Sequence, residues 1–282
     1  MNRNQVLLPI YWTLRPVVDR LRLNDLARPV WAALWNRREP GLITAPQNGR
    51  KWRLDSAVAL RGLEVEVETI HWLRSVVQPG MTVVDIGANV GQMTLEMAEL
   101  VGPRGRVIAI EPGPGNLALL RRHVAENGFM DRVTIIAAAC CATHGAEADI
   151  QIAGESIEEV GNGFQLAGLD LRPDRPFAQE RLTTRVSLIS LDEICRQHGW
   201  IPAVIKIDVE GAEVEVLRGA SQVLTQAQPA LRVAFHPFAF ADPGPAQREI
   251  EAMLAAAGLR PDRPATPWGL AEINAVPASP AN

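Results

Sequence analysis

From about residue 51 onward, short β-branched apolar runs alternate with stripes of apolar residues at helical spacing. Thr82–Ile86 is apolar except for Thr82 and Asp85, the pattern of a parallel strand buried on both faces. A helical pattern follows in Met93, Leu95, Met97, Ala98 and Val101, and a second strand covers 107–110, ending at Glu111. A helix over 114–127 has proline in its first turn and Gly128 just past its end, with Leu117, Leu120 and Val124 on one face. Further strands are predicted at 133–138, 204–208 and 231–236, and further helices at 64–77, 190–198 and 245–257. A terminal strand pair is expected near Leu259 and over 269–273. Residues 143–185 carry no long periodic segment and read as hairpins or a loop, a length of insertion that is usually functional or mobile. This alternation predicts an α/β fold with a mostly parallel sheet and helices on both faces.

Two domains are expected: an N-terminal helical extension over 1–50 and an α/β domain over 51–282. Residues 1–40 hold seven arginines against three acids, although the whole chain carries a net charge of −4. Trp12, Trp31, Trp35 and the single tyrosine, Tyr11, also lie there, with two apolar stripes at helical spacing. One arrangement is a basic amphipathic segment resting on an anionic membrane face through residues 1–38. The other is a helical cap packed on the catalytic domain. Co-sedimentation with anionic vesicles at low and moderate salt separates them. Binding that weakens with salt is expected of the first, and no binding at either salt favours the cap.

The acidic balance argues against a broad nucleic-acid surface. The N-terminus lacks a clean signal-peptide pattern, and its longest uncharged stretch, 4–14, is short of the roughly 20 residues of a spanning helix. Cys140, Cys141 and Cys195 show neither metal spacing nor a disulfide framework, and the first two read as small core residues. A cytoplasmic location is expected, with contact at the inner membrane face if the basic segment binds lipid. The oligomeric state is open. His71, His123, His144 and His198 read as surface residues.

The chemistry concentrates in two places. The first is Asp85-Ile86-Gly87-Ala88-Asn89-Val90-Gly91 with Glu111. A strand, a glycine turn and a helix bring backbone N–H groups to a helix N-terminus, and an acid ending the next strand suits ribose hydroxyls. A dinucleotide turn wants glycine where Asn89 stands, so NAD and FAD are disfavoured. The Asp-x-Gly-x-Asn-x-Gly pattern instead looks like the first motif of S-adenosylmethionine (SAM) methyltransferases.

The second place is Lys206-Ile207-Asp208-Val209-Glu210-Gly211-Ala212-Glu213, with His236 ending the following strand. If extension persists to Glu210, Lys206, Asp208 and Glu210 share one face at the carboxyl end of a central strand, where open α/β sheets bind ligands. A salt-bridged strand end is the plain structural alternative, and His236 reads either as a packed core residue or as a site residue. Lysine occurs only at Lys51 and Lys206 in a chain rich in arginine, which marks Lys206 further.

Together these residues resemble the FkbM-type SAM-dependent methyltransferases, over about residues 62–259. The resemblance rests on the stretch 85–94, on Glu111-Pro112 with Asn116 and Asn127-Gly128, on Ser190-Leu191-Asp192, on 206–213 with Gly219, and on His236. It implies a Rossmann-like class I sheet of seven strands, one of them antiparallel near the C-terminus. It also implies SAM as cofactor. Gly87, Ala88, Asn89 and Gly91 would then shape the pocket for the methionine part, with Asp85 in the same motif, and Glu111 would hold the ribose. Glu66 and Thr94 are further cofactor candidates. The family usually has a glutamate two residues before the strand-end histidine, where this chain has Ala234.

The expected reaction is O-methylation of a hydroxyl on a saccharide, glycolipid or secondary metabolite. His236 or Asp208 would take the proton, Lys206 would stabilise developing oxyanion charge, and Glu210 would complete the catalytic set. Asp208 and Glu210 are oxygen donors of the type a divalent metal uses, but no third ligand stands beside them in the sequence, so no metal is expected. The alternatives are a SAM-fold scaffold without turnover and an RNA methyltransferase. The lack of a basic-aromatic strip weighs against the latter.

Overall fold

The computed structural model describes residues 42–59, 66–153, 164–166, 181–262 and 271–277. Contacts divide the chain into one unit over 1–43 and another over 44–282. The N-terminal extension expected over 1–50 lies, up to residue 41, outside the described residues.

The described chain opens on a hairpin of β1 (Leu42–Gln47) and β2 (Arg50–Asp55), turning at Asn48 and Gly49 with φ of 50° and 78°. Positive φ at both central residues is the requirement of a tight hairpin turn, and Asn-Gly meets it at low cost. This hairpin crosses residue 50, where the composition changes.

The main sheet is built from β3 (Thr82–Ile86), β4 (Arg106–Ile110) and β5 (Val133–Ile136), then four later strands after an intervening small sheet. That small sheet comprises β6 (Ala139–Cys140), β7 (Glu147–Ala153), β8 (Phe164–Leu166) and β9 (Arg181–Ile189), in the order β6-β9-β7-β8. Its strands β7, β8 and the start of β9 fall in the stretch 143–185 that reads in sequence as hairpins or a loop, of which 154–163 and 167–180 lie outside the described residues. The later strands are β10 (Val204–Ile207), β11 (Ala230–Phe235), β12 (Leu259–Asp262) and β13 (Ala271–Pro277).

The seven strands run in the order β12-β13-β11-β10-β3-β4-β5. Neighbours from β5 to β11 are parallel, and β13 is antiparallel to both β11 and β12. This is the Rossmann-like class I methyltransferase sheet, and the chain order reverses between β3 and β10. Ligand crevices form at such a switch point, outside the carboxyl ends of the strands.

Alternate residues of the central strands bury two different faces. Val84, Ile86, Ile205, Ile207, Leu231 and Val233 join the helices Leu191–His198, Glu213–Arg218, Ser221–Ala227 and Pro243–Ala256 in one apolar core. The opposite face carries a charged row, because register pairs Lys206 with Asp85 on one side and with Arg232 on the other. All three are buried. Arg232 is satisfied by Glu272 and Asn274 of β13, and its guanidinium lies 5.9 Å from the Trp72 ring of the helix Val67–Val76.

Helix ends follow local chemistry. Ser190 accepts a hydrogen bond from the Glu193 N–H, and Asp242 accepts one from Gly244. Among the described residues, no helix is long and apolar enough to cross a membrane.

His123 is a correction to the sequence reading. It is fully buried, with Nε2 accepting from the Asp55 N–H at 2.8 Å and Nδ1 lying 2.7 Å from the Val90 carbonyl oxygen. The helix Pro114–Glu126 turns this residue toward β2 and the glycine turn, so it ties three segments together instead of facing water. Burial, the largest influence, lowers its pKa. The neutral ring suits these two bonds.

Candidate active site

The glycine turn after β3 is held from below. The N–H groups of Gly87 and Ala88 both donate to the Ile110 carbonyl, at 3.0 and 3.1 Å, and the Gly91 N–H donates to the Ala88 carbonyl. The Asn89 N–H donates to Glu111 Oε2 at 2.9 Å. These N–H groups are therefore spent on the protein, and the turn offers its shape more than its donors. Gly87 has φ of +78°, and a Cβ there would stand 1.9 Å from the Asp208 carbonyl oxygen. Only glycine lets the ends of β3 and β10 come this close. Asn89 also holds a left-handed φ, of 52°, a conformation asparagine tolerates better than most residues.

Glu111, beside the turn, has both carboxylate oxygens bonded. Its Oε1 accepts from the Gly113 N–H at 2.8 Å and from Asn116 Nδ2 at 3.1 Å, while its Oε2 accepts from Asn89. Burial outweighs these bonds and raises its pKa. A carboxylate has about four lone-pair positions, so three internal bonds leave room for a ligand hydroxyl.

Thr94 and Asp85 stand behind the turn. Both are fully buried, and the Thr94 hydroxyl donates to Asp85 Oδ2 at 2.6 Å. Asp85 Oδ1 lies 3.7 Å from Lys206 Nζ, which also bonds Asp208 Oδ2 at 3.2 Å. Burial by itself would lower the Lys206 pKa, but Asp208, Asp85 and Glu66 prevail and raise it, so the ammonium stays charged. Burial would likewise raise the Asp208 pKa; Lys206 first, then His236, reverse this and bring it down.

The strand β10 ends at Ile207, so strand alternation does not carry Glu210 to this cluster. A turn does. Glu210 has φ of 55° and Gly211 of 114°, and the reversal brings Glu210 Oε2 within 3.7 Å of His236 Nε2. Asp208 Oδ1 lies 3.6 Å from the same nitrogen. On the other side of the ring, His236 Nδ1 is 2.8 Å from Glu213 Oε1, a carboxylate with no solvent exposure. Burial opposes protonation of His236, but the Glu213 hydrogen bond and the charges of Glu213, Glu210 and Asp208 raise its pKa.

One pocket gathers eight of the predicted residues: Glu66, Gly87, Ala88, Asn89, Glu111, Lys206, Asp208 and Glu210. Asp85 and Thr94 support it from beneath. Gly91 faces Leu120, whose Cδ1 would be 2.6 Å from an added Cβ, and serves close helix packing. His236 meets the pocket through Asp208 and Glu210. Glu66 is exposed by surface area, yet protein atoms crowd its carboxylate at the pocket wall and this desolvation raises its pKa, Lys206 opposing. Asn116 and Glu213 enter the sequence reading only within motifs, without a site role. Asn116 lines the pocket and its Oδ1 is buried without a partner. The helical period could have found it, since position 116 lies in the first turn after Glu111.

A seven-stranded sheet of this order, with a glycine turn, a strand-end acid and a pocket at the switch point, defines a class I SAM-dependent methyltransferase. Residues 85–261 match the model of the methyltransferase FkbM domain, and the chain belongs to that family. S-adenosylmethionine is accordingly its cofactor. The chain is 29% identical over 102 residues to a probable cobalt-precorrin-6B C(15)-methyltransferase (decarboxylating) from Saccharolobus solfataricus, a match over 36% of this chain and 48% of that protein. Among solved structures it is similar to a methyltransferase FkbM from Methylobacillus flagellatus KT, at 18% identity and a TM-score of 0.45, covering 78% of this chain and 52% of the other. It is also similar to Aeropyrum pernix fibrillarin with natively bound SAM, at 17% identity and a TM-score of 0.47, covering 85% and 84%.

Proposed function

We propose that this protein transfers the methyl group of SAM to a hydroxyl oxygen of a saccharide, glycolipid or secondary metabolite. The observation that carries the reading is the corner of Asp208, Glu210 and His236, whose two acids line the same pocket as the glycine turn and Glu111. Glu111 would accept hydrogen bonds from the ribose hydroxyls, and the turn of Gly87, Ala88 and Asn89 would hold the methionine part. Glu66 would pair with the methionine ammonium.

Methyl transfer is an in-line displacement. The acceptor oxygen forms a bond to the methyl carbon as the S–CH₃ bond breaks, its electron pair leaving on S-adenosylhomocysteine. The acceptor's proton passes to the Asp208–His236 pair. Alignment of oxygen, carbon and sulfur is the main contribution of the protein, and a positioned base adds to it. Lys206, held charged between Asp85 and Asp208, fixes the Asp208 carboxylate and offsets negative charge on the oxygen.

The test compares metabolites and glycolipids of deletion and wild-type cells by mass spectrometry. One species lighter by a single methyl group is expected in the deletion, and the purified protein should release S-adenosylhomocysteine when given that species. No mass difference, with no S-adenosylhomocysteine released from any glycan or metabolite pool, would favour a scaffold that binds SAM without turnover.

A further inference from the structure

We propose that Asp208, Glu210 and His236 hold a divalent cation at the acceptor side of the pocket. This rests on the methyltransferase reading and specifies how its acceptor is held. One ligand atom from each of the three residues lies within 4.8 Å of the other two. His236 Nε2 stands 3.6 Å from Asp208 Oδ1 and 3.7 Å from Glu210 Oε2. These gaps are too long for a hydrogen bond. They lie within a few tenths of an ångström of the separation of about 3–3.5 Å between neighbouring ligands of an ion bonded at about 2.0–2.2 Å.

The histidine supplies an independent pointer. It is 5% exposed, and its Nε2 faces Asp208 Oδ1 and Glu210 Oε2. Its Nδ1 lies 2.8 Å from the buried Glu213 carboxylate, which orients the ring and turns Nε2 toward the two acids. Metal-binding histidines are oriented by carboxylates in this way. Asp208 divides its oxygens, Oδ2 to Lys206 and Oδ1 to the corner. Glu210 reaches it from a left-handed backbone.

One imidazole and two carboxylates suit manganese, iron or zinc. Three protein ligands leave coordination positions open toward the pocket, as in catalytic metal sites. A hydroxyl oxygen in such a position is fixed in place and made more acidic. With the ion bound, the Asp208–His236 pair takes the acceptor's proton through an Asp208 carboxylate oxygen while His236 holds the ion.

The experiment uses the full chain stripped with EDTA. Manganese is titrated in, with binding followed by loss of the free-ion electron paramagnetic resonance signal, and zinc competes for the site. One saturable manganese per chain is expected. Glu210→Gln, a lost ligand, and Glu213→Gln, which only orients His236, should each weaken binding, the latter by about 10–100-fold. Each variant is first shown to melt like the wild type. No saturable binding below about 1 mM, or wild-type affinity in both variants, would overturn the metal site. Calorimetric titration of SAM into the same metal-free protein reports the underlying reading separately: SAM binding without manganese binding removes only the ion, and no SAM binding removes the methyltransferase reading and this proposal with it.

Discussion

Replacing His236 with alanine should lower methyl-transfer turnover by about 10²–10⁴-fold, the usual contribution of a residue that moves a proton at the reacting atom. SAM affinity should change far less. The imidazole stands between the buried Glu213 and the pair Asp208 and Glu210, on the acceptor side of the pocket and away from Glu111 and the glycine turn. Alanine also strips Glu213 of its ring partner, although the Gly211 N–H still bonds Glu213 Oε1 at 2.8 Å. A buried carboxylate that loses a partner costs stability, on the order of 1–3 kcal/mol or more. His236→Asn separates the two effects. Its side-chain amide can donate toward Glu213 but has no basic lone pair. It should therefore melt closer to the wild type and still turn over slowly. Near-normal turnover in His236→Asn would make the histidine a packing residue and leave Asp208 as the base.

Lys206→Arg should slow turnover by roughly 10²-fold although it preserves the charge. Lys206 is buried in the central strand β10, with its ammonium between Asp208 at 3.2 Å and Asp85 at 3.7 Å. A compact ammonium fits between two carboxylates on neighbouring strands. A planar guanidinium needs more room, and the space it would take belongs to the Thr94–Asp85 hydrogen bond and to the Asp208 carboxylate. Overpacking a core typically costs about 1–3 kcal/mol, so the melting temperature should also fall. SAM should still bind, because the contacts of Glu111 lie on the other side of β3. Wild-type turnover and melting temperature in this variant would show that Lys206 merely neutralises two acids.

Much of this site was legible in the sequence because its local pattern breaks rules. Asp85 and Lys206 are charges inside apolar runs of central strands, and a parallel strand carries such a residue only when something on the next strand answers it. Here each answers the other across β3 and β10. Glycine at 87 and the acid at 111 were readable because turn geometry and strand ends are short-range features. What depends on distant pairing was not. The sequence places Glu210 on the face of Lys206 by alternation, whereas the chain leaves the strand at Ile207 and returns Glu210 through a left-handed turn. The Glu213–His236 contact joins residues 23 positions apart, and the strand-end histidine is given its partner by a helix whose acids could equally have served its own dipole. His123 misled because its neighbours Arg121, Arg122 and Glu126 are polar, yet it lies one position from the buried Val124 and three from the buried Leu120. The hairpin of β1 and β2 had a usable signal in Asn48-Gly49 that composition obscured.

The central claim is that the pocket at the carboxyl ends of β3, β4 and β10 is a SAM pocket closed to dinucleotides. Isothermal titration of SAM and NAD into the full chain and its Glu111→Ala variant tests it directly. Wild type should bind one SAM per chain and NAD poorly. The variant loses the ribose acceptor and the anchor of Asn89, Gly113 and Asn116, so its SAM affinity should fall by about 1.5–3 kcal/mol, roughly 10–150-fold. Equal SAM affinity in the two proteins, or NAD binding as tight as SAM in the wild type, would contradict the account.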